Sequence, residues 1–179
     1  GNGLRPDAWS EFQKRFGNLW IGSRPTPLQG KFQVVYLDFS RASGGSGSLE
    51  ENFNNYCGMV MDLFGKVYEP YYFPGFAQKM EEQPDFVSKL NYLNLHAAES
   101  GMRLYLIIDE YDNFTNIVLN EQGKDIYHAL THASGFYREI FKKFKGMFER
   151  IFMTGVSPVT LDDLTSGFNI GWNINTDYQ

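Results

Sequence analysis

The sequence predicts one α/β domain with three layers, in which helices flank both faces of a parallel sheet. Three short apolar segments, at Gln33–Phe39, Leu104–Asp109 and Arg150–Thr154, predict strands. Long stretches with helical spacing of apolar residues separate these segments, and parallel strands need crossover connections of that length. No internal repeat or long linker divides the chain, so we expect residues 1–179 to form a single domain.

The first two strand segments differ in pattern. Gln33–Phe39 (QVVYLDF) is a compact run of β-branched and aromatic residues, which is typical of a strand. Leu104–Asp109 (LYLIID) is apolar on successive residues rather than on alternate ones, and this pattern favours a central strand covered on both faces. We therefore expect Leu104–Asp109 to lie between the other two strands.

Four stretches carry apolar residues three and four positions apart, and this spacing predicts helices that bury one face. Ser48 and Glu51 form a capping-box pattern at the start of the second. The segments between the helices are rich in proline and glycine, which predicts loops. The four stretches lie at residues 5–17, from Ser48 through Phe64, from Asp85 to Gly101, and from Asp125 to Phe144.

The overall composition excludes several classes of protein. The 16 basic and 21 acidic residues give a net charge of −5, which argues against a dominant nucleic-acid surface but leaves room for a local patch. The single cysteine, Cys57, cannot form an internal disulfide, lies on the apolar side of its helix, and fits a reducing cytoplasm. No apolar run approaches the roughly 18 residues of a membrane span. We therefore expect a cytoplasmic protein without membrane segments.

Acidic residues are concentrated where the second strand segment ends. Asp109, Glu110 and Asp112 follow an apolar run at the edge of the sheet where α/β proteins bind ligands. Carboxylates beside a core need compensation, which a hydrated Mg²⁺, a catalytic water or simple exposure to solvent could each provide. Asp38 ends the first strand at the same edge, where it could join the outer shell of a metal or cap the next turn.

Four blocks of sequence carry a family resemblance. In chain order they are LWIGSRPTPLQGKFQVVYLDFS, LYLIIDEYDNF, GFYREIFKKFKG and FMTGVSPVTLDDLTSGFNI. Together they resemble the bacterial AAA-ATPase-like family, over a region from about Phe12 to Asn175. In many members of that family a P-loop ATPase domain precedes a nuclease-like region. The resemblance implies a partial P-loop NTPase core of the ASCE type.

The resemblance also implies roles for individual residues. Asp109 takes the place of the Walker B carboxylate that holds Mg²⁺, and Glu110 that of the catalytic glutamate. Asp112 either contributes to the metal site or caps the following turn and holds the loop. The polar residue of the sensor strand, which reads the γ-phosphate or orients the water, falls on Thr154 or Ser157. For these two hydroxyls, the alternative is that they satisfy a turn before the next proline.

The family's Walker A loop, which is rich in glycine and ends in Gly-Lys-Ser/Thr, is not found in this sequence. GSRPTPLQGKF spaces its glycines too widely and has Phe32 in the Ser/Thr place, and SGGSGS has no lysine. The resemblance therefore implies a truncated piece of a longer ATPase. ATP and Mg²⁺ are expected as cofactors of the longer protein and not of this chain alone. The alternative is a non-catalytic binding or structural module with vestigial acids.

The predicted partners follow from the same resemblance. The strand that carries the P-loop would pair with the sensor strand, so its absence would leave the Arg150–Thr154 edge open. We expect either a homodimer through that edge or cover from the N-terminal helix or the C-terminal tail. A nucleic-acid partner is possible only for the longer protein, and no membrane partner is expected.

Overall fold

The structure is a computed structural model that describes residues 8–42, 46–131 and 135–156. Within these ranges, three strands alternate with helices in the order expected of an α/β domain. The strands are β1 (Gln33–Asp38), β2 (Leu104–Asp109) and β3 (Arg150–Met153). The helices are α1 (Ala8–Phe16), α2 (Trp20–Ser23), α3 (Leu49–Tyr68), α4 (Phe76–Glu81), α5 (Phe86–Glu99), α6 (Asn113–Gln122), α7 (Lys124–Thr131) and α8 (Phe136–Met147).

The three strands form one parallel sheet in the order β1-β2-β3. Gln33 aligns with Leu104 and Asp38 with Asp109, so β1 and β2 end at the same level. On the other side of β2, Tyr105 aligns with Arg150. The predicted central place of the second strand is therefore confirmed, as is the mixed α/β class with a small parallel sheet flanked by helices.

One face of the sheet packs against an aromatic core. Leu37, Leu106 and Ile108 on this face are all 0% exposed. Phe53 of α3 lies at the centre of the ring contacts, with centroid distances between 5.1 and 6.0 Å to its neighbours. Cys57, one turn further along α3, is buried, which confirms its predicted place on the apolar side of the helix. The neighbours of Phe53 are Phe39, Phe86, Phe114, Phe136 and Tyr137.

The opposite face of the sheet is covered less completely. Burial alternates along β2, and Tyr36 and Phe152 in the neighbouring strands are 49% and 42% exposed. The central strand was predicted to be covered on both faces, and within the described residues its second face is only half-buried. A continuous apolar run shows that each of its residues can be buried, but it does not show which face of the strand the helices cover. Here the helices pack mainly against one face.

The helix starts were predicted more accurately than the later helix boundaries. Ser48 and Glu51 form the predicted capping box, and the Asp85 carboxylate accepts a hydrogen bond from the Ser88 N–H at 2.7 Å at the start of α5. The region after Asp125 is not one helix, because it divides into α7 and α8, and α6 before it was not predicted. Ile126, expected on the apolar face, is 42% exposed.

Small differences also occur at the ends of two strands. β1 ends at Asp38 because Phe39 begins a short 3₁₀ turn, and β3 ends at Met153, one residue before the predicted Thr154. The predicted cover of the β3 edge remains a prediction. The C-terminal tail that could provide it, residues 157–179, lies outside the described residues.

Helix α3 runs beside the outer edge of β1 and bonds to it through two tyrosines. The backbone N–H groups of Val34 and Asp38 point away from β2 and donate to the hydroxyls of Tyr68 at 3.2 Å and Tyr56 at 3.0 Å. An edge strand normally presents such groups to solvent or to another chain. Here two side-chain hydroxyls satisfy them.

Candidate functional site

The candidate site lies where the three strands end. Asp38 and Asp109 are aligned across β1 and β2, and Thr154 directly follows β3. The carboxyl ends of parallel strands share one edge of the sheet, so residues far apart in sequence meet there. The structure thus brings together Asp109 and Thr154, two of the residues predicted from sequence.

Asp109 receives hydrogen bonds from three directions. The Thr154 hydroxyl donates to its Oδ1, and the Tyr36 hydroxyl donates to Oδ2 at 3.1 Å. The Glu110 backbone N–H also donates to Oδ1, at 3.1 Å. These donors lower the pKa of the Asp109 carboxyl, with Thr154 having the largest effect and Tyr36 the next. Asp109 is therefore an anion at neutral pH.

Tyr36 is a member of the site that the sequence analysis missed. Its partial burial raises the pKa of its hydroxyl, and the hydrogen bond to Asp109 raises it further. The hydroxyl thus stays protonated and remains a donor. The alternation of β1 contained the signal, because residues two apart in a strand share a face, and Tyr36 stands two before Asp38.

Glu110 has an unusual backbone. Its φ is +51°, in the left-handed region, which residues with a side chain enter rarely. Asn113 holds this conformation, since its N–H donates to the Glu110 carbonyl at 3.0 Å and its side-chain amide donates to Oε2 at 3.1 Å. The Glu110 side chain is exposed. Strain held by the surrounding structure is often found at functional positions.

Asp112 is buried rather than exposed beside its two acidic neighbours. It is 2% exposed, and its Oδ2 accepts hydrogen bonds from the Val156 N–H at 3.1 Å and the Asn116 side chain at 3.4 Å. Next to it, the Tyr111 N–H donates to the Thr154 carbonyl at 3.0 Å. Together these contacts join the segment after β2 to the segment after β3.

Gly155 allows this close approach. A Cβ atom at this position would lie 2.6 Å from Cδ1 of the Tyr111 ring and 2.7 Å from Oδ1 of Asp112. Both distances are shorter than real Cβ contacts allow, so the position requires glycine for space. The Tyr137 hydroxyl, from α8, donates to the Tyr111 carbonyl at 2.7 Å and so also holds the segment after β2.

The family of the chain follows from a comparison with protein-family models. The family described as predicted AAA-ATPase matches residues 7–165, which include every residue of the candidate site. This chain belongs to the predicted AAA-ATPase family. Comparison with curated proteins and with solved structures found no significant match. In the part of the chain that the structure describes, no helix is both long and apolar enough to cross a membrane.

For a member of the predicted AAA-ATPase family, the fit of the site to Mg²⁺ can be tested on its donors. Asp38, Asp109 and Thr154 present oxygen atoms, the ligand type that Mg²⁺ prefers. Both oxygens of Asp109 accept hydrogen bonds, and among the described residues no group of three or more His, Cys, Asp or Glu could hold a metal. The described donors therefore do not form a cage for a bare ion, and a Mg²⁺ ion at this edge would be held by Asp109 through water.

Of two other predicted positions, the structure describes Asp38 but not Ser157. The Asp38 Oδ1 accepts hydrogen bonds from the N–H of Ser40 at 3.1 Å and from its hydroxyl at 2.6 Å, so it caps the turn after β1. Ser157, the second candidate for the sensor residue in this AAA-ATPase family member, lies outside the described residues.

Proposed function

We propose that this chain supplies the Walker B and sensor portion of an Mg²⁺-dependent ATPase site. The observation that carries the proposal is the hydrogen bond from Thr154 to Asp109, beside the strained Glu110. It joins the ends of β2 and β3 at the edge of the sheet where α/β proteins bind nucleotides. Membership of the predicted AAA-ATPase family supports this reading.

In this proposal Asp109 holds Mg²⁺ through water. Its lowered pKa keeps it charged, and the hydroxyls of Tyr36 and Thr154 fix the orientation of its carboxylate. Mg²⁺ retains several waters in phosphate-transfer sites, so one oriented carboxylate can serve without displacing its hydrogen-bond donors. The bound ion would supply neutralisation of the charge on the phosphates.

Glu110 would orient the attacking water. A side chain in this role must reach the water without blocking the metal, and Glu110 is exposed and lies at a left-handed turn directly after Asp109. Asn113 restrains the Glu110 carboxylate through its side-chain amide. Phosphoryl transfer depends mainly on positioning, so this restraint would matter more than the basicity of the carboxylate.

Thr154 would act as the sensor hydroxyl, with Ser157 as the other candidate. Asp112 was predicted either to bind the metal or to hold the loop, and its buried contact with the Val156 N–H favours holding the loop. By fixing the segments after β2 and β3 to each other, Asp112 would keep Thr154 beside Asp109. A direct metal contact by Asp112 would require this buried contact to open.

The site also needs groups that cradle the phosphates. Most nucleotide affinity of P-loop proteins comes from backbone N–H groups and a lysine in a Gly-rich loop, a motif that the sequence does not contain. We propose that ATP and Mg²⁺ act in a longer cytoplasmic protein, and that this chain alone binds ATP no tighter than roughly millimolar. A nucleic-acid partner would likewise belong to the longer protein.

The test compares this chain with a version extended upstream through a Gly-rich loop. Calorimetric titration with Mg²⁺ and ATP should show micromolar binding only for the longer chain. In that chain Glu110→Gln should lower turnover by about 10²–10⁴-fold while nucleotide binding persists. Glu50→Gln, which removes an exposed carboxylate on α3, is the matched control and should leave turnover unchanged.

Two results would contradict the proposal in different ways. Micromolar ATP binding by the short chain would reveal another phosphate site. Turnover of the longer chain that is unaffected by Glu110→Gln would remove the catalytic role of Glu110. It would leave the alternative in which the acids are vestigial and the chain is a non-catalytic module.

A further inference from the structure

Helix α3 presents an apolar stripe to solvent. Met59, Leu63 and Val67 are 64%, 62% and 43% exposed, and their spacing of four places them on one face of the helix. Tyr36 of β1, 49% exposed, extends the stripe across a groove of about 400 Å³ between the helix and the sheet. Contiguous exposed apolar surface of this kind usually marks an interaction site.

A pair of opposite charges borders the stripe on the side away from β1. Asp62 and Lys66 lie four positions apart on α3, so they share one flank of the helix. Asp62, which is partly exposed, forms an ion pair with the buried Lys89, and Lys66 pairs with Glu81 at 2.6 Å. Lys66 nevertheless keeps 63% of its side chain exposed and can reach a partner.

We propose that the stripe binds a second copy of this chain, with the two α3 helices antiparallel and a twofold axis at Leu63. In that arrangement Met59 packs against the partner's Val67, and Leu63 against the partner's Leu63. At a rise of 1.5 Å per residue, Asp62 lies within about 3 Å, along the helix axis, of the partner's Lys66. The arrangement is isologous, as most dimer interfaces are.

The charge pattern favours a second copy over an unrelated partner. A twofold axis brings the same flank of each helix together, so the flank must complement itself. In the antiparallel orientation each Asp62 lies beside the partner's Lys66, which adds an oppositely charged neighbour across the axis to the pairs that these residues already make with Lys89 and Glu81. The stripe has few residues compared with the 20–30 per side of a stable interface, so we expect a weak, concentration-dependent dimer.

A symmetric disulfide tests the position of the axis. Leu63→Cys should give a covalent dimer on mild oxidation, because residue 63 would face its own copy across the axis. The native Cys57 is 0% exposed and does not compete. Leu95→Cys, at an exposed apolar position on α5 (55% exposed), is the matched control and should remain monomeric under the same conditions.

Two further cysteine variants test the antiparallel register. Met59 and the partner's Met59 would lie about 12 Å apart along the axis, beyond the Cα separation of roughly 7 Å that a disulfide spans. Met59→Cys alone should therefore cross-link poorly, and so should Val67→Cys alone. A mixture of the two should cross-link efficiently. Efficient cross-linking of Met59→Cys with itself would overturn the antiparallel arrangement.

The oligomeric state in solution completes the test without added cysteines. In sedimentation experiments the average mass should rise from the 20.6 kDa of one chain towards twice that value as concentration increases. Leu63→Glu places two like charges on the axis and should hold the chain as a folded monomer, as checked by circular dichroism. A chain that stays monomeric at every concentration, or a dimer that survives Leu63→Glu, would refute the proposal.

Discussion

The two faces of the sheet are built from different interactions. On one face, Leu37, Leu106 and Ile108 are fully buried beneath the aromatic contacts of Phe53. On the other, hydroxyl groups converge on the Asp109 carboxylate at the carboxyl edge. The first face consists mainly of buried apolar side chains. The second face holds the polar groups of the candidate site and buries less apolar surface.

This difference separates the residues that stabilise the sheet from those of the candidate site. Burying a large apolar side chain contributes a few kcal/mol, and the total stability of a domain is only about 5–15 kcal/mol. Hydrogen bonds at exposed positions contribute far less, because water competes for the same groups. Substitutions on the two faces should therefore have effects of different size and kind.

The largest expected effect is the loss of Phe53. Phe53→Ala should lower the free energy of unfolding by about 3–5 kcal/mol, because the ring lies at the centre of five aromatic contacts and leaves a cavity. Urea denaturation followed by circular dichroism measures the change. Leu95→Ala, at an exposed position, should alter stability by less than about 0.5 kcal/mol. Equal effects of the two variants would show that the buried face does not dominate stability.

Gly155→Ala should have an intermediate effect, confined mainly to the site. The added methyl would overlap the Tyr111 ring and Asp112, so we expect a loss of about 1–3 kcal/mol and faster hydrogen exchange at the Val156 amide. Gly146→Ala, on α8, is the matched control. Nothing lies within 4 Å of its Cβ position, and alanine there should stabilise the helix by about 0.5 kcal/mol. Unchanged exchange at Val156 in Gly155→Ala would argue against the contact.

The smallest expected effect is a change in the titration of Asp109. Thr154→Val and Tyr36→Phe each remove one donor to its carboxylate, so each should raise the pKa of Asp109, and Thr154→Val should raise it more. Carboxyl ¹³C chemical shifts followed by NMR report this pKa directly. A larger rise in Tyr36→Phe would reverse the assigned order of the two donors.

The sign of the accompanying stability change follows from linkage. Because the folded state lowers the pKa of Asp109, its hydrogen bonds stabilise the fold above the unfolded pKa, and this contribution is lost as pH falls through the folded pKa. The stability difference between the wild type and Thr154→Val should therefore be present at neutral pH and shrink in acid. A difference that grew in acid would require another titrating group.

Much of the fold was predictable because, in these elements, the local sequence pattern and the tertiary packing favour the same structure. The three strands, the central place of β2 and the capping box at Ser48 follow from apolar runs and caps that the structure preserves. The division of the later helical region was not predictable from its spacing. Gly135 has an extended backbone just before α8, after α7 has ended at Thr131, and apolar spacing alone does not register such a break.

The candidate site was predictable only in part, for a similar reason. The run of acids after an apolar strand identified Asp109, and the resemblance located Thr154. The contribution of Tyr36 depends on which strands are neighbours, and the left-handed turn at Glu110 depends on Asn113 and on the packing around it. Such features arise from the assembled sheet and have only weak signals in the sequence.

The two tyrosine hydroxyls beside β1 limit how far the sheet can grow. Polymerisation by strand addition needs an open edge at both ends of the sheet, and Tyr68 and Tyr56 already bond the outward N–H groups of Val34 and Asp38 in β1. Addition at β3 of a second molecule would join two three-stranded sheets into one of six strands, with capped strands at both outer edges. In the language of polymer chemistry the described part of the chain is monofunctional with respect to strand addition, because only its β3 edge is open to a further strand.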